Sequence, residues 1–396
     1  MAVKRKVALF LLLQTIVVAS VFFVYKQGMR ETPSRPQRGT MTDDDAILCD
    51  SSVSAHAQKF ALGVPPDKKT EVKLILLTYM RSGSTFAGDL FNQHPDVFYV
   101  FEPLRPIQNQ IIRKHTGAIF LDLNPVWQNA DKQEKSLQTQ VTKAYLDCRF
   151  GALNLRAFYD ATFLSVGKKT KPFIDCRRNH QGIMGILGCL PLLQNPCAAA
   201  RVTSLKTIRL SMEQAASLAK SDPKVKVVHL VRDPRGTLRS QRIYGKFKPS
   251  ETDQFSKTFC KRVLQDAQVA DKLTATYPGR VLRVRYEDLA SEPLNFAEKM
   301  LGFAGLTLND GLRGYIWNIT MAGNTSRGVL RNERSNSSET SMEWRLKFDF
   351  NSTSTIDNNC REVYQRFGYL PLKTKRDLVD LGVPSVLGYA KVHGLW

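Results

Sequence analysis

Among the 396 residues there is no Cys-x-x-Cys pair, no histidine pair at zinc-ligand spacing, no internal repeat and no long low-complexity tract. The first two absences weigh against a zinc module, and the last two exclude solenoids and compositionally biased chains. Acid is also scarce: 36 Asp and Glu face 57 Lys and Arg, a net charge of +21. Such a balance implies an anionic partner, whether nucleic acid, a membrane surface, a phosphorylated cofactor or an acidic polysaccharide. A generally solvated basic surface is the plainer alternative, so charge alone decides nothing. With 43% hydrophobic residues the chain can bury one large core or two smaller ones.

What is present narrows the choice. Val7 to Tyr25 carries no charge, and Gln14 is its one strongly polar residue. As a helix it would be about 28 Å long, near the thickness of a hydrocarbon core. Lys4, Arg5 and Lys6 precede it on a very short tail, which favours a cytosolic N-terminus. A cleaved signal peptide competes, since Ala19 and Ser20 are small, but the apolar run continues through Phe22, Phe23, Val24 and Tyr25. A single retained signal-anchor is therefore expected, with the rest of the chain in the secretory lumen. Asn-x-Ser/Thr acceptors at Asn318, Asn324, Asn336 and Asn351 agree with that placement. So do the seven cysteines, which read better as disulfides than as metal ligands. Their odd number leaves at least one thiol free or paired between chains, and Cys49 is the natural candidate.

Residues 26–70 are polar, with scattered prolines, and read as a stem. Folded character begins with "VKLILLT", a continuous apolar run of strand length. "RVTSLKTIRL", "KVKVVHLVRD" and "RVLRVRYEDL" repeat it, with helical patterns such as "SMEQAASLAKSD" and "FSKTFCKRVLQDAQVADKL" between them. Alternating strands and helices predict an α/β fold with a parallel sheet flanked by helices. Leu104 to Ala200 is the least regular stretch and is expected to form a cap or loop-rich insertion over one sheet edge.

"KLILLTYMRSGSTF" has the shape of a phosphate-binding loop without its lysine. If Gly83 is matched to the second glycine of Gly-x4-Gly-Lys-Ser/Thr, Thr78 stands at the first glycine and Ser84 at the lysine. That argues against ordinary ATP or GTP hydrolysis. The physics of anion cradling survives: a buried strand, a tight turn at Gly83, and a helix whose free amides and positive end face an anion. Ser82, Ser84 and Thr85 add hydroxyls and Arg81 adds charge, although a serine-capped structural turn would read similarly. In "VVHLVRDPRGTLRS" a second strand ends at Arg232, with Ser240 following on a predicted helix. Two such strand ends could grip two phosphates of one nucleotide; a local cap or ion pair at Arg232–Asp233 is the alternative.

Together "RSGST", "LVRDPRGTLRS", "NQHPDVFYVFEP" and "VRYEDLASEP" resemble the Golgi galactose, N-acetylglucosamine and N-acetylgalactosamine 6-O-sulfotransferases, over roughly Val72 to Pro371. These enzymes use 3′-phosphoadenosine 5′-phosphosulfate (PAPS). The resemblance implies a cytosolic tail (1–6), one transmembrane signal-anchor (7–25), a luminal stem (26–70), a sulfotransferase domain (71–372) and a C-terminal tail (373–396). It implies a type II Golgi membrane protein with PAPS and a glycan as partners, no metal requirement and no nucleic acid. Oligomeric state stays open, a homodimer included.

The resemblance also implies cofactor contacts from Arg81, Ser82, Gly83, Ser84, Thr85 and Phe86 at the 5′ side, from Arg232 and Ser240 at the 3′-phosphate, and from Arg331. Catalytic roles are expected for Glu102 as general base and for Arg81 and Lys206 as cations; Arg209 is an alternative to Lys206. A salt bridge from Glu102 to an arginine such as Arg105 is the competing reading. His94 reads as structural, in a helix-ending turn, as do Tyr286, Glu287 and Asp288. Arg331, Asn332 and Trp344 match the family only loosely. Gln241 to Thr258 appears shorter than in many relatives, which bears on the acceptor. Two other functions compete: a luminal kinase acting on glycans, disfavoured by the missing loop lysine, and a non-catalytic glycan-binding protein on the same fold.

Overall fold

The computed structural model describes residues 69–112, 130–153, 155–158, 164–180, 182–321 and 336–392. The expected anchor, the stem to residue 68, Cys49, Asn324, Arg331 and Asn332 lie outside them. Among the described residues no helix is long and apolar enough to cross a membrane.

The apolar runs form strands β1 (Val72–Leu77), β2 (Val97–Phe101), β3 (Val202–Thr207), β4 (Val225–Val231) and β5 (Val281–Arg285). All pair in parallel in the order β2-β3-β1-β4-β5. Both faces of β1 are covered, which is why it reads as a continuous rather than an alternating hydrophobic run. Leu74 and Leu76 point into one core with Leu90 and Phe91 of α1 (Ser84–Gln93), the first helix among the described residues, and with Met300 and Ile316. Ile75 and Leu77 point into the opposite core with Val141, Ala215 and Leu218. A third cluster joins Val263 and Ala267, on the helix Thr252–Thr276, to Trp344, Ile356 and Phe367.

Two expectations need correction. The stretch from Leu104 to Ala200 is largely helical where it is described, with helices at Arg105–Ile112, Ala130–Leu146, Lys171–Asn179, Gly182–Cys189 and Pro191–Ala198. Disulfides Cys148–Cys197 and Cys176–Cys189 tie these elements together, and Cys260–Cys360 links the third core. Six cysteines thus pair, as the disulfide reading expects. The segment expected as a tail from 373 is instead held to the domain. Arg345, fully buried, donates to the carbonyls of Leu378 at 3.0 Å and Val383 at 2.7 Å. Arg235 reaches Ser385 O at 3.2 Å and Arg285 reaches Leu387 O at 2.9 Å. These arginines add to the apolar contacts that Leu378, Val383 and Val386 make with the third core and Tyr389 makes with Phe296.

The register decides where chemistry can occur. Leu77 lies beside Thr207 and His229, and Phe101 lies beside Lys206. Residues 78–83, Glu102 and Arg232 therefore leave the same carboxyl edge of the parallel sheet, where open α/β sheets place their ligands.

Candidate active site

The loop after β1 is built from its own hydroxyls. Ser82 is fully buried; its Oγ donates to Tyr79 O at 2.7 Å and shares a short hydrogen bond with Thr78. This hydroxyl closes the turn, so Ser82 shapes the cradle rather than offering its side chain to an anion. Arg81 and Gly83 both adopt positive φ, 68° and 81°. Glycine is required at 83 twice over: the left-handed backbone disfavours a side chain, and a Cβ would fall 2.1 Å from the Tyr286 ring. Beyond it, α1 starts with Ser84, Thr85 and Phe86, whose first-turn amides have no acceptor within the helix.

Beneath the loop, the buried Tyr79 hydroxyl donates to Asp266 at 3.0 Å and lies 2.9 Å from His229 Nε2. Burial, with Arg283 and Arg262 nearby, pushes His229 down to about 3, so the ring is neutral and acts as a support.

The second motif meets the first. Arg81 Nε donates to Ser240 Oγ at 3.0 Å, and Arg232 Nη1 donates to Arg81 O at 3.1 Å. Gln241 Nε2 adds a bond to Met80 O at 2.9 Å. Arg232 also lies over the Tyr286 ring, 4.5 Å from its centroid. Ser240 rides on the helix Pro234–Ile243, which Asp233 caps by accepting from the Arg235 amide at 2.8 Å. Asp233 pairs with Arg235 at 2.7 Å, so the cap and ion pair considered for this turn exist without engaging Arg232's side chain.

At the end of β2, Glu102 is buried and sits at φ 52°. Lys206 Nζ donates to its Oε1 at 2.5 Å, and Arg209 Nη1 makes a short bond to Oε2. The alternatives Lys206 and Arg209 are thus both present, and the competing salt bridge to an arginine exists as well, through Arg209 rather than Arg105. Gln108 accepts from Arg209 Nε. Burial pushes the Lys206 ammonium below its ordinary value, opposed by the Glu102 carboxylate.

His94 is structural, as expected: it ends α1, accepts from Asp96 N at 3.2 Å, and places Nε2 3.2 Å from Thr307 O. Trp344 is buried in the third core beneath Arg235. Tyr286 is structural, as expected, packing against Gly83 and Arg232. Sequence reasoning missed Gln108 on Arg209, and Tyr244, whose ring lies 4.1 Å from the Arg81 guanidinium. An aromatic four residues after Ser240, on the same helix face, was the available signal for Tyr244.

The sequence is 27% identical to zebrafish (Danio rerio) carbohydrate sulfotransferase 1 over 81% of this chain and 82% of that protein. It is 26% identical to human (Homo sapiens) carbohydrate sulfotransferase 5 over 84% and 86%, and 26% identical to mouse (Mus musculus) carbohydrate sulfotransferase 3 over 80% and 71%. Among solved structures, the crystal structure of mouse sulfotransferase SULT7A1 complexed with PAP aligns with 79% of this chain and 90% of that one. Identity there is 13% and the TM-score 0.38, too loose to transfer any residue's role. The sulfotransferase domain profile matches residues 71–368, from just before β1 to the end of the helix Arg361–Phe367, and the chain belongs to that family.

Proposed function

We propose that this chain is a PAPS-dependent carbohydrate sulfotransferase that modifies the 6-hydroxyl of an N-acetylglucosamine, N-acetylgalactosamine or galactose residue in a glycan of the glycoprotein, keratan or chondroitin type. The observation that carries the reading is the junction of Arg81, Arg232 and Ser240 between the ends of β1 and β4. PAPS supplies an activated sulfuryl group and a 3′-phosphate, and the residues suit both. Arg232 Nε is buried without a hydrogen-bond partner among the described residues, a donor suited to a phosphate oxygen. The amides of Ser84, Thr85 and Phe86, with Arg81, suit the phosphosulfate. The carbohydrate sulfotransferases that this chain resembles support a glycan as acceptor.

Glu102 would take the proton of the attacking hydroxyl. Its oxygens accept from Lys206 and Arg209 but keep lone pairs, since an ionised carboxylate has about four acceptor directions. Lys206 and Arg81 would offer positive charge to the oxygen that departs with the nucleotide, where fixed charges act most strongly. These cations make a metal unnecessary in the proposal, so chelator should leave the rate unchanged. Residues 7–25 would anchor the domain in the Golgi membrane with the catalytic part luminal.

Incubating the protein with labelled PAPS and a glycan panel, then locating the sulfate by mass spectrometry, tests the proposal. Sulfate on a C6 oxygen is expected. Transfer from ATP, or no transfer to any glycan, would refute it.

A further inference from the structure

The helix bearing Ser240 ends in a turn with unusual surface chemistry. Ile243 is 61% and Tyr244 41% exposed, and Lys246 and Lys248 are exposed too. Single exposed apolar residues are ordinary; here the placement matters. Tyr244 stacks on Arg81 while much of its surface stays open. Phe247 anchors the turn from below, buried and stacked on Phe255 with centroids 4.6 Å apart. Arg242 fixes the preceding helix to Asp349 at 2.9 Å. Gly245, at φ 66° with open space around its would-be Cβ, reverses the chain. Among the described residues neither Lys246 nor Lys248 forms an ion pair. Glu251 is at hand, but its side chain accepts from the Lys248 backbone amide at 2.5 Å. The turn is therefore a rim of one aromatic ring and two cations without ion pairs among the described residues, beside the phosphosulfate loop.

We propose that Tyr244, Lys246 and Lys248 form an acceptor subsite for an anionic glycan. Tyr244 offers its open face to a sugar ring. The two lysines hold a carboxylate or sulfate on a neighbouring sugar. This rests on the transferase reading above and narrows its acceptor to chains that already carry negative charge.

The test compares matched oligosaccharides, one neutral and one with a carboxylate or sulfate on the sugar next to the acceptor residue, using the full chain and PAPS. The wild type should prefer the anionic partner. The double substitution Lys246→Gln/Lys248→Gln should lower the anionic-to-neutral ratio of kcat/KM by about tenfold, since each exposed charge contact is worth up to about 1 kcal/mol. Tyr244→Ala should raise the KM for glycan more than that for PAPS, and Tyr244→Phe should restore it. An active wild type without anionic preference, or a double variant that keeps the preference, overturns the subsite while leaving the transferase reading intact. A wild type that sulfates neither oligosaccharide overturns the transferase reading, and the subsite with it.

Discussion

Glu102 holds a left-handed backbone conformation that a non-glycine residue rarely adopts, at a cost of about 1–3 kcal/mol. Lys206 and Arg209, one on each carboxylate oxygen, over-determine it. Glu102→Gln should reduce kcat by about 10²–10⁴-fold with PAPS affinity retained, as removal of a general base would. Near-normal turnover in a folded variant would end that assignment. Glu287 makes a different prediction. It accepts from Asp233 N at 3.0 Å and from the Tyr369 hydroxyl at 3.1 Å. Burial first, then the Asp233 charge, pushes its carboxyl up to about 7, against the opposing pull of Arg232. The native state thus keeps a proton that the unfolded chain releases near pH 4.5. Glu287's contribution to stability falls as pH rises from there through about 7, then stays low. Glu287→Gln, which carries no charge to bury, should raise Tm relative to wild type at pH 8 and change it little at pH 5. An equal shift at both pH values would show that ionisation of Glu287 is not the cause.

At the level of elements, β1 and β2 could be read from the chain because they are mostly buried on both faces and so written as apolar runs, while β3, β4 and β5 could be read from their valines and leucines despite Lys206, Lys226, Arg283 and Arg285 among them. The two loop motifs were readable because glycine and proline punctuate them. Long-range partners were not: nothing in "LVRDPRGTLRS" announces that Ser240 receives Arg81, a contact across 159 residues. The inward hydroxyl of Ser82 was hidden likewise, since sequence does not say which way a serine turns. Most helices after Leu104 escaped because they are short and carry proline or glycine, while Ala130–Leu146 escaped because it is mostly polar and presents few apolar positions. Two predictions belong here. Gly83→Ala should weaken PAPS binding strongly, measured by calorimetry, because the Tyr286 ring leaves no room for a Cβ. Removing the Cys260–Cys360 bridge should destabilise the fold more than removing Cys176–Cys189. Their sequence separations are 100 and 13 residues, and loop entropy favours the longer closure by roughly 1.8 kcal/mol. Denaturant melts of the paired serine variants would decide, and the reverse order would show that native-state packing dominates.

For the whole molecule, the net charge of +21 suits a nucleotide and a charged glycan as partners. If the domain is luminal, as proposed, glycans are expected on Asn318 and Asn351, both exposed. Asn336 is the exception: its side chain caps the helix Ser337–Met342, accepting from Ser338 N at 3.0 Å and donating to Glu339 at 3.0 Å. Glycopeptide mapping should find it the least occupied of the three. The central claim is that the ends of β1 and β4 grip the two phosphate-bearing ends of one PAPS molecule. Calorimetric titration of wild type and Arg232→Ala with PAPS and with adenosine 5′-phosphosulfate, which lacks the 3′-phosphate, tests it most directly. A charge-assisted contact of this kind is worth about 1.5–3 kcal/mol, or roughly ten- to a hundredfold in affinity. Arg232→Ala should therefore weaken PAPS by that much, scarcely alter the analogue, and shrink the preference between them. An unchanged preference in a variant that melts like the parent would make the Arg232 turn structural and contradict the two-phosphate grip.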